Sequence, residues 1–100
     1  MAFSIVFSKS VQGDLGDLRA YDREMIFDAI EAQLVHDPAV ETDKRKLLQN
    51  LVPPFEAVPP VWQLRVGAFR VFYDVEKDGS RVYIRAIRRK PSHLTTEEIL

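Results

Sequence analysis

The chain has 100 residues, 46% hydrophobic and 29% charged, with a formal net charge of −1 and no cysteine. That length suits one domain over residues 1–100 with a single core, and the missing cysteine excludes disulfides, thiolate metal sites and a cysteine nucleophile. No apolar run approaches the roughly 18 residues that a bilayer crossing needs, and the N-terminus has no signal-peptide pattern, so the expectation is a cytoplasmic protein without membrane association.

Phe3-Ser4-Ile5-Val6-Phe7 alternates with period two and predicts a short strand. Ser8 is a residue type that caps helix N-termini, because its hydroxyl accepts an orphan backbone N–H. Beyond it, Val11, Leu15 and Leu18 form a helical stripe that Gly13 and Gly16 weaken by about 1 kcal/mol each. Asp22 is the expected cap of a second helix reaching about His36, with Ile26, Ile30 and Leu34 on its apolar face and Phe27 beside them. Asp37-Pro38 stops that helix, since the residue before proline avoids helical backbone. The two helices form a hairpin.

Glu41 to Leu51 carries the basic triplet Lys44-Arg45-Lys46, then Leu47, Leu48 and Leu51. A short helix and a strand-like segment both fit it. Two proline pairs, Pro53-Pro54 and Pro59-Pro60, flank Phe55-Glu56-Ala57-Val58 and predict a stiff extended connection anchored by Phe55 and Val58.

From Val61 to Lys90 three alternating runs predict adjacent antiparallel strands. Gly67-Ala68 suits a two-residue II′-type turn, and Lys77-Asp78-Gly79-Ser80 a longer polar loop. By parity Trp62, Leu64, Val66, Phe69, Val71, Tyr73, Val75, Val82, Ile84 and Ala86 face a helical cover. The opposite face then gathers Gln63, Arg65, Arg70, Arg85 and Arg89 around Phe72 and Tyr83. Residues 61–90 hold eight Lys/Arg against three Asp/Glu, whereas residues 1–60 hold six against ten, so a basic sheet on an acidic helical layer is expected. Pro91 ends the last strand, and Thr95-x-x-Glu98 has capping-box spacing for a helix of at most one turn. The fold class read from this order is α+β: an N-terminal strand and helical hairpin packed on an antiparallel sheet of about four strands.

Trp62-Gln63-Leu64-Arg65-Val66-Gly67 with Phe69-Arg70-Val71-Phe72-Tyr73 resembles the hairpin motif of the RelE/ParE superfamily, the bacterial toxins of type II toxin–antitoxin pairs. The end Ala86-Ile87-Arg88-Arg89-Lys90 is similar to that family's basic C-terminal strand. The resemblance covers nearly the whole chain. For the RelE-like branch it implies a metal-independent endoribonuclease that cuts mRNA on the ribosome, using the RNA 2′-OH as nucleophile and needing no cofactor. Such chemistry requires a base, a cation for the charged transition state and help for the leaving 5′-oxygen. Arginine suits the second role, because its planar fork holds phosphate by two parallel hydrogen bonds and stays charged.

Arg70 matches the family's hairpin arginine and Arg89 its late-strand arginine; His93 is the nearby acid/base candidate. Arg65, Arg85, Lys46, Tyr83, Phe72 and Gln63 are the expected RNA- and phosphate-binding residues, with Tyr83 and Phe72 placed to stack on bases. Val61 and Gln63 occupy the strand where family enzymes often carry lysines, and Thr95 stands where a tyrosine is expected. The resemblance also implies a cognate antitoxin that lays acidic side chains on the basic face. Two alternatives stay open: a ParE-like toxin that inhibits DNA gyrase without catalysis, and an inactive toxin fold that only binds its antitoxin.

Overall fold

The computed structural model describes residues 2–100. Strand β1 (Ser4–Phe7) leads into helix α1 (Lys9–Gly16) and helix α2 (Ala20–Leu34). Strand β2 (Arg45–Leu48) precedes the contiguous strands β3 (Val61–Val66), β4 (Phe69–Glu76) and β5 (Arg81–Arg89), and one turn of helix, α3 (Thr96–Ile99), follows. No helix among the described residues is long and apolar enough to cross a membrane.

The expected α+β architecture is present, with one correction. The sheet has five strands in the order β1-β5-β4-β3-β2, and β1 runs parallel to β5 while the other pairs are antiparallel. Alternation within a strand carries no direction, so the parallel pair was invisible in the residues. The ambiguous segment after Glu41 resolves as the edge strand β2, held by pairing with β3 across Arg45↔Leu64 to Leu48↔Val61.

The amphipathic stripes meet as expected. Val11 and Leu15 of α1 and Ile26, Ile30 and Leu34 of α2 pack on Trp62, Leu64, Val71, Tyr73, Val82 and Ile84. Ser8 caps α1 by accepting the Val11 N–H at 3.4 Å. Tyr73 is fully buried and donates its hydroxyl to the Pro38 carbonyl at 2.7 Å; burial, slightly offset by Arg45, pushes that hydroxyl well above its ordinary pKa. Asp22 does not cap α2. The helix begins earlier, at Ala20, and Asp22 lies buried in its first turn, paired with Arg19 at 3.4 Å.

A β-bulge in β5 changes the reading of its second half. Phe72 pairs with Ala86 and Tyr73 with Ile84, so Arg85 is an extra residue. An inserted residue reverses the sidedness of everything after it. Ile87 therefore enters the main core, where parity had put Ala86, and Ala86 joins the opposite face.

That opposite face is not bare. Val61, Phe72 and Ala86 form a second, smaller core beneath Leu48, Leu51, Phe55, Ala57, Ile99 and Leu100. The proline-rich connection and α3 thus cover the middle of the sheet. The connection is fastened where Asp74 accepts the Val58 N–H at 2.9 Å, and α3 where Thr96 Oγ1 donates to Gln63 Oε1 at 2.8 Å.

Candidate functional site

The tight β3–β4 turn sets the geometry of the most basic part of the sheet. Gly67 has φ +55°, a region that costs L side chains, and only two residues separate the strands. Strand pairing then places Arg65 opposite Arg70, and Arg70 opposite Arg88. Directly opposed residues share a face at about 5 Å between Cβ atoms, so three arginine residues stand in one cross-strand row.

Like charges so aligned repel. Burial first, and then the neighbouring Arg65 charge, hold the Arg70 guanidinium below its ordinary pKa. Arg70 donates to the Gly67 and Phe69 carbonyls at 2.9 and 2.7 Å, which orients it without neutralising it. Arg88 donates to Asp14 Oδ2 at 3.1 Å and lies 6.0 Å from the Phe55 ring centre. Among the described residues, neither Arg65 nor Arg70 forms an ion pair. A row of cations with two members lacking acidic partners attracts anions by elementary electrostatics.

Arg88 was the residue that sequence parity missed. Reading β5 without a bulge turned Arg89 onto this face. The bulge puts Arg89 at the Phe69 position of the ladder instead, with its guanidinium 4.6 Å from the Phe69 ring centre and 3.9 Å from Asp22. The one available signal was the break in alternation at Ala86-Ile87, two apolar residues followed by two arginines. Asp14 fixes the displaced strand end, since the same oxygen that pairs with Arg88 also accepts the Ile87 N–H at 3.2 Å.

The other predicted residues divide. In the next row Lys46 pairs with Gln63, and Gln63 with Phe72. Lys46 is exposed, but Gln63 is buried against Thr96, and Phe72 is fully buried with its ring centre 5.7 Å from that of Phe55. Phe72 is thus a core residue, because the connection folds over a side chain that alternation alone left facing outward. Arg85 is nearly buried and gives Asp74 two hydrogen bonds, at 2.6 and 3.3 Å. Its guanidinium also sits 4.8 Å from the Tyr83 ring centre, and the Tyr83 hydroxyl donates to Glu76 at 2.9 Å. His93 is exposed in the loop between β5 and α3 and makes no hydrogen bond or ion pair among the described residues. The structure therefore gathers Arg65 and Arg70 with Arg88, and leaves Arg89, Phe72 and His93 outside the row.

A family model described as the ParE toxin of the type II toxin–antitoxin system parDE matches residues 5–91. The fold is similar to the RelBE2 toxin–antitoxin complex of Mycobacterium tuberculosis, at TM-score 0.72 and 16% identity over 90% of this chain and 100% of that one. It is also similar to the archaeal RelE–RelB complex of Pyrococcus horikoshii, at TM-score 0.69 and 16% identity over 94% and 100%. The isolated E. coli RelE toxin aligns at TM-score 0.70 and 16% identity over 97% and 94%. No curated protein matches the sequence.

Proposed function

This chain belongs to the RelE/ParE superfamily as a toxin of a type II toxin–antitoxin system, and from that premise we propose that it is an mRNA endoribonuclease acting on the ribosome. The observation that carries this reading is the Arg65–Arg70–Arg88 row, in which two guanidinium groups lack acidic partners. A backbone phosphate laid across the row receives parallel N–H donors and relieves the mutual repulsion of the arginines. The row's charge is worth more still to the dianionic transition state formed when the 2′-OH attacks that phosphate. Arg88 takes the role that the family resemblance gave to Arg89. His93, a short loop beyond β5, takes the 2′-OH proton as the 2′-oxygen bonds to phosphorus; the P–O5′ bond breaks to leave a 2′,3′-cyclic phosphate, and the departing 5′-oxygen takes a proton from solvent water. The cognate antitoxin neutralises the toxin by laying carboxylates on the same row, in keeping with the toxin–antitoxin complexes among the similar folds.

Gln63 favours a second reading. It is buried against Thr96 where family enzymes often present a lysine, so it offers neither a charge nor a base. In that reading the row docks on DNA gyrase and no bond is cut.

Induction in a bacterial host, with separate pulse-labelling of protein and DNA synthesis, separates the two. An immediate stop in translation with cleaved ribosomal mRNA supports the endoribonuclease, and Arg70→Ala and Arg88→Ala then relieve toxicity. Arrest of DNA synthesis with translation at first intact moves the target to gyrase. Undiminished toxicity in both variants overturns the row as the site.

A further inference from the structure

The face that bears the arginine row also carries a groove that meets the row at Arg88 and whose other lining residues have no part in the reaction just described. Two clefts of about 500 Å³ and about 550 Å³ adjoin along β5, and Glu56 and Arg85 line both. Lys9 and Arg88 line one end, beside the Ser8 and Ser10 hydroxyls; Tyr83 and Glu76 line the other. The lining thus passes from cations and hydroxyls to an aromatic ring among carboxylates, within the size range of small-ligand sites.

The carboxylates there are not equivalent. Asp74 is saturated by Arg85 and by the Val58 N–H at 2.9 Å, and Glu76 by the Tyr83 hydroxyl at 2.9 Å and Arg81 at 3.3 Å. Glu56, at the junction of the two clefts, is exposed and accepts no hydrogen bond among the described residues. Arg85 already lies 4.8 Å from the Tyr83 ring centre, so a planar ligand group extends an existing stack.

We propose that this groove binds a guanine nucleotide unit of the RNA, a step that rests on the endoribonuclease reading. The phosphate lies between Lys9 and Arg88, the base stacks with Tyr83, and the Glu56 carboxylate accepts the guanine N1–H and N2–H. Guanine presents two adjacent N–H donors on its Watson–Crick edge. Adenine, cytosine and uracil each set an acceptor beside every donor there, which a carboxylate repels. Glu56 is therefore the specificity-determining residue and Lys9 a phosphate contact.

The test is calorimetric titration of the purified chain with guanosine 3′-monophosphate, adenosine 3′-monophosphate and inorganic phosphate, with amide chemical shifts to locate the site. Guanosine 3′-monophosphate binds at least about tenfold more tightly than its adenosine counterpart, from two hydrogen bonds to a charged acceptor. Glu56→Gln removes that preference and leaves adenosine binding unchanged, while Lys9→Ala weakens both nucleotides alike and flattens their salt dependence. Equal affinity for the two purines, a preference that survives Glu56→Gln, or inorganic phosphate binding as tightly as the nucleotide overturns the assignment. mRNA cleavage without guanine preference in this titration overturns the groove alone. Guanine binding in the groove by a chain that leaves mRNA intact supports the groove and overturns the endoribonuclease.

Discussion

Replacing Asp74 by alanine removes the fastening between the sheet and the proline-rich connection. The Asp74 side chain is 3% exposed and its partner Arg85 12%, and the same carboxylate accepts the Val58 N–H. Asp74→Ala leaves a nearly buried guanidinium without a counter-ion and a backbone donor without an acceptor. Breaking such a pair from one side costs about 3–5 kcal/mol, a large part of the roughly 5–15 kcal/mol that holds a domain of this size together. With a urea slope of about 2 kcal/mol per M, the unfolding midpoint falls by roughly 2 M. Trp62 reports the transition, since it is buried and stacked on Tyr73 with ring centres 6.2 Å apart. The partner variant Arg85→Ala completes a double-mutant cycle, and the double variant is less destabilised than the sum, by about 0.5–3 kcal/mol of coupling. A cost below about 1 kcal/mol for Asp74→Ala, or strict additivity with Arg85→Ala, refutes the view that this pair is a buried, coupled fastening.

Phe72→Ala destabilises the fold by about 3–5 kcal/mol in urea unfolding, because its side chain fills the second core; an exposed stacking residue would cost less than about 0.5 kcal/mol. Gly67→Ala, at φ +55°, costs about 1–2 kcal/mol by the same assay, and a neutral result would contradict the turn assignment. The Thr95 backbone N–H, donating at 2.8 Å, holds the Glu98 carboxyl below its ordinary pKa of 4.5. A folded pKa below the unfolded one means that this contribution is fully present above pH 4.5 and is lost as pH falls below it. The Thr95 backbone N–H resonance therefore shifts in that acid window, and Glu98→Gln abolishes the shift of that resonance. Asp14→Asn frees the Arg88 guanidinium from its ion pair at 3.1 Å, so wild-type toxicity together with an unchanged Arg88 side-chain NMR spectrum would show that Asp14 does not position it.

The residues alone determined the elements that rest on local chemistry. The Ser8 cap, the Ile26–Ile30–Leu34 stripe, the Gly67 turn, the burial of Trp62 and the single helical turn after Thr95 all follow from propensity and periodicity, and the structure has each of them. Arg65 opposite Arg70 was equally legible, since a two-residue turn fixes the register of the strands it joins. Three features needed the tertiary structure. The bulge at Arg85 exchanges the sides of Arg88 and Arg89, and one inserted residue leaves hardly a trace in composition. The burial of Phe72 and Gln63 depends on segments far away in the chain, the proline-rich connection and α3, docking on the second sheet face. The parallel pairing of β1 with β5 depends on where the helical hairpin returns the chain. Side-chain alternation records which residues share a face within one unbroken strand; what covers that face, and where the register slips, is decided by packing between distant parts of the chain.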